Sequence, residues 1–235
     1  MAAALGWGAL AAFSLVLGAL LTLHRWSDRQ VGAVLAFGAG ALISAVSFEL
    51  AAEGVDVGGG DATAAGLAVG AITYFLADRA LGLREAGRQG GGGQGPSLAL
   101  GAFLDGVPEQ FVLGVSVASG QGVSAALVVA IFVSNLPESI GSSNDMEESG
   151  SSRRTILRLW LAVAVICTVS TLVGYAVADS TGPNLRAAID GFAAGALLVM
   201  LIDSMIPDAH SKAGRPAGLF TVLGFALAAG LSAAS

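Results

Sequence analysis

Charge is scarce in this 235-residue chain: 12% of its residues are Asp, Glu, Lys or Arg, whereas 54% are hydrophobic. Soluble domains carry about 25% charged residues, so the composition excludes an ordinary soluble domain. Long apolar runs take the place of the missing charge and predict a polytopic membrane protein. The net charge of −6 does not indicate a basic partner, because many of the acids lie within the apolar segments. No basic stripe is present, so nucleic acid is not an expected partner.

Cysteine and histidine are also scarce. The single cysteine, Cys167, lies in an apolar run and can form neither an intramolecular disulfide nor half of a thiolate pair on a metal. The two histidines, His24 and His210, lie beside basic residues at segment ends. The Gly-rich stretch at 84–96 lacks the Lys-Ser/Thr ending of a phosphate-binding loop. We interpret it as a flexible cytoplasmic linker within one transmembrane domain that covers residues 1–235.

Eight apolar segments have about the 20 residues that a helix needs to cross a bilayer. The first lacks a positively charged region before it and is longer than the apolar part of a signal peptide, so we predict a retained helix. No period-2 alternation is present, and only helices satisfy their own backbone in lipid without a closed barrel. The predicted fold is therefore an all-α membrane protein with eight transmembrane helices. The predicted spans are 3–23, 31–52, 62–82, 97–118, 122–143, 155–178, 187–207 and 214–234.

Basic residues alternate between loops. Ten of the eleven Lys and Arg residues lie in or beside the loops that follow spans 1, 3, 5 and 7, and Arg186 is the exception. The positive-inside rule places these loops in the cytoplasm and both termini outside, in a plasma membrane or bacterial inner membrane.

Spans 2 and 7 share a short pattern. Span 2 contains Phe37-Gly-Ala-Gly-Ala-Leu42 and span 7 contains Phe192-Ala-Ala-Gly-Ala-Leu197, an offset of 155 residues that also pairs Glu53 with Asp208. Because the two spans run in opposite directions, the pattern predicts an inverted repeat of spans 1–3 and 6–8 around a span 4–5 hairpin, a 3+2+3 arrangement. Inverted repeats recur in transporters that bind their substrate near the bilayer midplane. Chance similarity between small apolar residues is the alternative.

Spans 4 and 5 each carry a Pro-Glu pair near the middle of the span. Acids at the centre of a span cost roughly 2.5–3.5 kcal/mol each, so three of them in one hairpin indicate a use for the charge. Asp105 and Glu109 are four residues apart and share one helix face, as do Ser134 and Glu138, with Asn135 beside them. A helix rises about 1.5 Å per residue, so these groups lie at similar distances from the turn between spans 4 and 5. We therefore expect them to converge near the bilayer centre.

Each glutamate of these pairs follows a proline, Pro108 or Pro137. Proline removes a backbone hydrogen bond, which would free the carbonyls of Leu104 and Val133 beside the acids. Carboxylate, amide and carbonyl oxygens are the ligands that replace the hydration shell of a divalent cation, and a bound cation offsets the cost of burying the acids. Alternatively, the prolines are ordinary kinks and the acids are protonated and hydrogen-bonded to one another.

Further polar residues suggest a path through the protein, although a solvated helix end is the alternative for each. Ser142 and Asp145 follow Glu138 on span 5 toward the cytoplasm. The others are Glu49 and Glu53 at the outer end of span 2, and Asp203, Asp208 and His210 toward the inner end of span 7.

These motifs resemble the Zrt/Irt-like (ZIP) family of divalent metal transporters, which carry His-Asn-x-Pro-Glu-Gly in span 4 and a related Pro-Glu or Pro-Gln motif in span 5. Here span 4 reads Asp105-Gly-Val-Pro-Glu-Gln110 and span 5 reads Ser134-Asn-Leu-Pro-Glu-Ser139. The resemblance implies eight spans, both termini outside, and a homodimer that moves Zn²⁺, Fe²⁺ or Mn²⁺ into the cytoplasm by moving one helix group against another. The ion would be the substrate, with no cofactor and no enzymatic activity. The implied metal ligands are Asp105, Glu109, Ser134, Asn135 and Glu138.

The chain departs from the family pattern in spans 4 and 6, and these departures bear on the choice of ion. Asp105 and Gly106 replace the family's His and Asn, and span 6 has no acid where some members place a metal-binding glutamate. A site without His or Cys favours harder ions such as Mn²⁺ or Fe²⁺ more than a histidine site would, although zinc also binds carboxylates.

Two other function classes fit parts of the sequence. A metal-binding sensor or assembly subunit would be compatible with the missing histidine, and metal binding without flux would identify it. An intramembrane aspartyl enzyme needs two facing aspartates, for which Asp105 and Asp203 are the candidates. The Gly-x-Gly-Asp context that such enzymes use is absent.

Overall fold

The computed structural model describes residues 1–22, 26–86, 95–118, 125–179 and 181–233, without the side chains of 81–105, 126 and 179. The turn predicted at 119–122 and positions 87–94 of the predicted linker lie outside these residues. The described residues form eight helices and no β-strand. The helices are α1 (Ala2–Leu21), α2 (Asp28–Gly58), α3 (Gly60–Ala86), α4 (Gly95–Ala118), α5 (Ala125–Glu148), α6 (Arg153–Asp179), α7 (Pro183–Ala213) and α8 (Ala217–Ser232).

Several of these helices have the length and composition of membrane spans. Among the described residues, five helices are long and apolar enough to cross a membrane: α1, α2, α3, α6 and α7. α8 is also apolar but has only 16 residues. The prediction of an all-helical protein with apolar spans is therefore confirmed.

α2 and α7 are each 31 residues long and extend well beyond the predicted spans at 31–52 and 187–207. Both continue through a π-helical segment, Val46–Ala52 in α2 and Leu201–Met205 in α7, into a polar final stretch. Hydropathy marks where the apolar residues stop, whereas a helix ends where its backbone turns. α2 ends at Gly59, whose φ is +92°, and α7 ends at Gly214, whose φ is +67°.

α2 also begins earlier than predicted because its start is capped. The Ser27 hydroxyl accepts a hydrogen bond from the Gln30 amide, and the Gln30 side-chain oxygen accepts one from the Ser27 amide at 3.0 Å. This capping box satisfies two backbone donors that would otherwise lack partners at a helix start.

The helices pack in two groups. In the first group α2 packs against α8, and α3 packs against α7. In the second, α1 and α4 pack against α6, and α1 also packs against α5. α5 contacts α2 and α4 contacts α7 across the junction, so the two helices that carry the Pro-Glu motifs lie where the groups meet. α4 and α5 also contact each other, over a shorter length.

Glycine permits matching close contacts in the first group. Gly224 of α8 lies against the backbone of Phe37 in α2, and Gly70 of α3 lies against the backbone of Phe192 in α7. A Cβ at either glycine would overlap the carbonyl it faces. Small residues let membrane helices approach this closely, and Phe37 and Phe192 are the first residues of the pattern that spans 2 and 7 share.

α4 and α5 remain helical through Pro108 and Pro137. The Val133 carbonyl, which lacks an amide partner at Pro137, lies against α2: a Cβ on Gly38 would be 3.3 Å from this oxygen. The oxygen therefore faces a neighbouring helix, which argues against its predicted use beside the acids. Leu104 lies in a stretch whose side chains are not described.

Candidate functional site

Glu109 is buried in the middle of the helical bundle, with 2% of its surface exposed. The Ser134 hydroxyl of α5 lies 3.3 and 3.4 Å from the two carboxylate oxygens of Glu109 and 3.0 Å from the Ile131 carbonyl, and its single proton can be donated to any one of these acceptors. Both distances to the carboxylate are long for a hydrogen bond between two oxygen atoms, so Ser134 binds Glu109 weakly. The structure brings these two predicted site residues together from different helices.

Asn135 lies beside this pair and is 1% exposed. Within the described part of the chain, neither its amide oxygen nor its amide nitrogen has a hydrogen-bond partner. An unsatisfied buried polar group costs about 1–3 kcal/mol, so a ligand or an ordered water is expected to complete it. The amide oxygen is a suitable ligand for a divalent cation.

Two of the five predicted ligands are less enclosed or not described. Glu138 lies one turn beyond Ser134 on α5 and is partly exposed. Asp105 belongs to α4, but its side chain lies outside the described residues. Among the described side chains, no three His, Cys, Asp or Glu residues lie close enough together to hold a metal ion. The complete five-residue site therefore stays a prediction.

α6 is fixed against α4 by two hydrogen bonds. The Thr171 hydroxyl donates to the Gln110 side-chain oxygen at 2.7 Å, and the Ser170 hydroxyl donates to the Val107 carbonyl at 2.8 Å. The Gln110 side chain is fully buried, and its nitrogen has no partner among the described residues. Gln110 follows Glu109 directly, so this contact fixes the orientation of α4 next to the predicted site.

Cys167 lies one turn before Thr171 and is fully buried. A Cβ on Gly106 would be 3.0 Å from its sulfur, so the thiol lies against α4. The sequence indicated only a small buried side chain here. Its position against Gly106 depends on how α4 packs on α6, which the local sequence does not encode.

Along the face of α5 that carries Ser134, exposure increases toward the end of the bundle where α6 begins at Arg153. Ser134 is buried, Glu138 and Ser142 are partly exposed, and Asp145 is exposed. At this end a polar cavity of about 420 Å³ lies between the end of α1 and the end of α5 and is lined by Thr22, Trp26, Asn144, Glu147 and Glu148.

The predicted path residues of α7 lie on or near the surface. Asp208 forms an ion pair with Lys212 at 3.0 Å, and both Asp203 and His210 are exposed. An exposed Asp203 does not suit the buried, facing aspartates of an intramembrane enzyme, although the side chain of Asp105 is not described.

At the C-terminal end of α2, the two predicted path residues Glu49 and Glu53 each have a partner on another helix. Glu49 accepts a hydrogen bond from Ser232 of α8, and Glu53 accepts one from Arg186 of α7 at 2.9 Å. Asp190, which was not among the predicted residues, lies 4.0 Å from the Arg186 Nε and is 3% exposed. The four-residue spacing of Arg186 and Asp190 is the signal that could have identified this pair.

A second cavity, of about 540 Å³, lies between α3, α4 and α7 and is almost entirely apolar. Pro108 and Phe111 of α4 form one wall, and Phe192 and Ala193 of α7 form part of the other. The two helix groups are therefore less tightly packed here than where α2 meets α5.

Comparison with known proteins gives one informative similarity. No family model matches this chain. Over 222 residues, or 91% of the chain, it is 28% identical to an Arabidopsis thaliana protein named "Putative zinc transporter". The chain spans 34% of the length of that protein. The similarity extends over most of the helical bundle, so it concerns the arrangement as a whole and not a single motif.

Proposed function

We propose that this protein is a ZIP-type transporter that carries a divalent transition-metal cation, Zn²⁺, Mn²⁺ or Fe²⁺, into the cytoplasm through a carboxylate-lined site near the bilayer midplane. The observation that carries the proposal is the buried Glu109 carboxylate beside the Ser134 hydroxyl, next to the buried amide of Asn135, which has no hydrogen-bond partner among the described residues. A charge buried among apolar helices is costly unless a counterion neutralises it. The relative named as a zinc transporter supports the same substrate class.

The proposed ligands would replace the hydration shell of the ion. Carboxylates of Glu109 and Glu138 would supply charge, and Ser134 and Asn135 would supply neutral oxygens. Asp105, one turn before Glu109, would complete the set. The ion is the substrate of this site, so the proposal needs no resident cofactor and no chemical reaction. Oxygen donors alone would make the site more favourable to Mn²⁺ and Fe²⁺ than a histidine site is.

The proposed architecture has eight spans in a 3+2+3 arrangement, with spans 1–3 and 6–8 related as an inverted repeat. The matching glycine contacts of α2 with α8 and of α3 with α7 support it. So do the π-helical segments, which begin at Val46 and Leu201 with the same offset of 155 residues as Phe37 and Phe192. π-helical segments are rare and often lie at functional positions. A homodimer with both termini outside completes the proposal, from the family resemblance and the distribution of basic residues.

Transport in this proposal requires the two helix groups to move relative to each other. α4 and α5 carry the site within the group that contains α1 and α6. The apolar cavity beside Pro108 leaves space at the junction with α3 and α7. The increasing exposure from Ser134 to Asp145 fits a state in which the ion reaches the site from the end of the bundle where α6 begins at Arg153.

The test is metal uptake by cells that express the protein, Glu109→Ala or Glu138→Ala, with Asp61→Ala as a control. Asp61 is an exposed acid at the start of α3. Its removal changes the net charge by the same amount as either site variant but leaves the candidate site intact. We expect both site variants to reach the membrane normally and to lose uptake, whereas the control retains it. Normal uptake by both site variants would reject the proposed site.

A further inference from the structure

A second group of charged residues lies far from the candidate site and has no role in it. Glu53 and Arg186 form a hydrogen-bonded ion pair at 2.9 Å between α2 and α7, and their side chains are 25% and 16% exposed. Asp190 lies one turn along α7 from Arg186 and packs on α2, because a Cβ on Gly54 would be 3.3 Å from the Asp190 Cβ. We call Glu53, Arg186 and Asp190 the Arg186 cluster.

The pairing inside the Arg186 cluster is incomplete. The Asp190 Oδ2 is buried and has no hydrogen bond to any described residue, and the Arg186 Nε nearest to it is likewise unsatisfied at 4.0 Å. Among the described residues, the guanidinium would have to give up its hydrogen bond to Glu53 and its longer ion pair with Asp190 in order to leave. A buried carboxylate oxygen without a hydrogen bond is an available ligand for a cation.

The charge of this region is also unbalanced. Two carboxylates share one guanidinium, and Glu49, one turn before Glu53 on α2, adds a further negative charge that acts on Glu53. The Thr63 hydroxyl oxygen lies near Gly54 and adds a neutral oxygen to the surroundings. An excess of carboxylates at low exposure favours an additional cation.

The position of the cluster separates it from the candidate site. Gly38 of α2 lies against Ser134, and Glu53 follows fifteen residues later on the same helix. At about 1.5 Å per residue the two levels are roughly 22 Å apart. The cluster also lies at the end of α2 opposite the polar cavity that contains Trp26, so it is at the other end of the proposed path.

We propose that the Arg186 cluster is a second cation-binding site, in which the Arg186 guanidinium occupies the carboxylates until a divalent cation displaces it. Glu53 and Asp190 supply the carboxylate ligands, and Arg186 acts as a tethered competitor that keeps the affinity low. A low-affinity site at this end would hold an ion briefly before it moves on. Its role in transport rests on the proposed function, whereas its binding of a cation does not.

The test is Mn²⁺ binding to the purified full chain, followed by the electron paramagnetic resonance signal of the free ion. The Glu109→Ala background removes the candidate site, so the remaining binding reports the cluster. We expect Arg186→Gln to tighten this binding about tenfold or more, because a positive charge next to the ion is lost. Arg186→Lys keeps the charge and should stay close to the parent. Arg158→Gln, an exposed base on α6, is the control for net charge and should have no effect.

Asp190→Asn, added to Arg186→Gln, should abolish the tightened binding while the protein stays monodisperse. Unchanged Mn²⁺ affinity in Arg186→Gln, or tightened binding that survives Asp190→Asn, would overturn the second site. A neutral, protonated Asp190 would give the first of these results. The outcome is independent of the proposed transport, which stands or falls on the flux of the single Glu109→Ala variant.

Discussion

α2 packs against the candidate site at Gly38, which lies against the backbone of Ser134. The variant Gly38→Ala therefore tests whether this contact positions the site. An added Cβ would lie 2.9 Å from the Ser134 Cα, 3.2 Å from its amide nitrogen and 3.3 Å from the Val133 carbonyl oxygen. Ordinary contacts of a Cβ begin at 3.4 Å, so α5 has to move by about 0.5 Å at the level of Ser134. All three neighbours are backbone atoms, so no side chain can rotate away to relieve the contact.

Two opposing terms set the effect on stability. Overpacking of this kind costs about 1–3 kcal/mol, and the better helix propensity of alanine returns about 1 kcal/mol. The net loss is about 0–2 kcal/mol, which corresponds to a decrease of Tm by up to about 8 °C in a chain of this size. Binding groups must be held within about 0.5 Å of their productive positions, so we expect metal uptake to fall about tenfold while the protein stays folded.

The assay compares initial rates of Mn²⁺ and Zn²⁺ uptake with Tm in the same detergent-purified preparations. Gly6→Ala in α1 is the matched control, because no atom lies within 4 Å of its Cβ position and neither quantity should fall. Full uptake by folded Gly38→Ala would refute the reasoning, since it would mean that the α2–α5 contact does not position the ligands. A Tm loss well above 8 °C would show that Gly38 acts through folding.

Two further variants test separate parts of the structure. Ser134→Ala removes the hydroxyl that lies beside the Glu109 carboxylate. Because these hydrogen bonds are long, we expect the binding free energy of the metal to fall by about 0.5–1.5 kcal/mol, or roughly two- to tenfold in apparent affinity. An unchanged metal titration would exclude Ser134 as a ligand or positioning group. Gly40→Ala places a Cβ onto the Thr221 carbonyl of α8 and should lower Tm, because overpacking of this kind costs about 1–3 kcal/mol. Gly230→Ala is the control and should not lower Tm, because the space around Gly230 is open. Equal Tm values for the two variants would contradict the close contact between α2 and α8.

The parts that could be predicted from the sequence are those that depend on local pattern. Hydropathy was sufficient for the apolar helices, and the spacing within the Pro-Glu motifs was sufficient to bring Glu109 and Ser134 together. The ends of α2 could not be predicted in this way, because a capping box at Ser27 and a left-handed glycine at Gly59 set them independently of hydropathy.

The remaining differences come from contacts between distant parts of the chain. Arg186 was an exception among the basic residues until the structure paired it with Glu53, 133 positions away in the chain. The contact between Cys167 and Gly106 appeared only once α6 was placed against α4. The approach of Gly38 to the Val133 carbonyl, which proline chemistry alone offered as a ligand, was equally invisible in the sequence. Each of these depends on which helices are neighbours, and neither composition nor periodicity specifies that.

The measurement that tests the central claim most directly is ion flux into liposomes that contain only the purified protein. Zn²⁺, Mn²⁺, Fe²⁺, Cd²⁺ and Mg²⁺ would be compared side by side, with Glu109→Ala as the paired preparation. We predict saturable flux of transition-metal ions that Glu109→Ala abolishes. Absence of flux for every ion, with metal still bound by the wild-type protein, would contradict transport and favour a metal-binding sensor or assembly subunit.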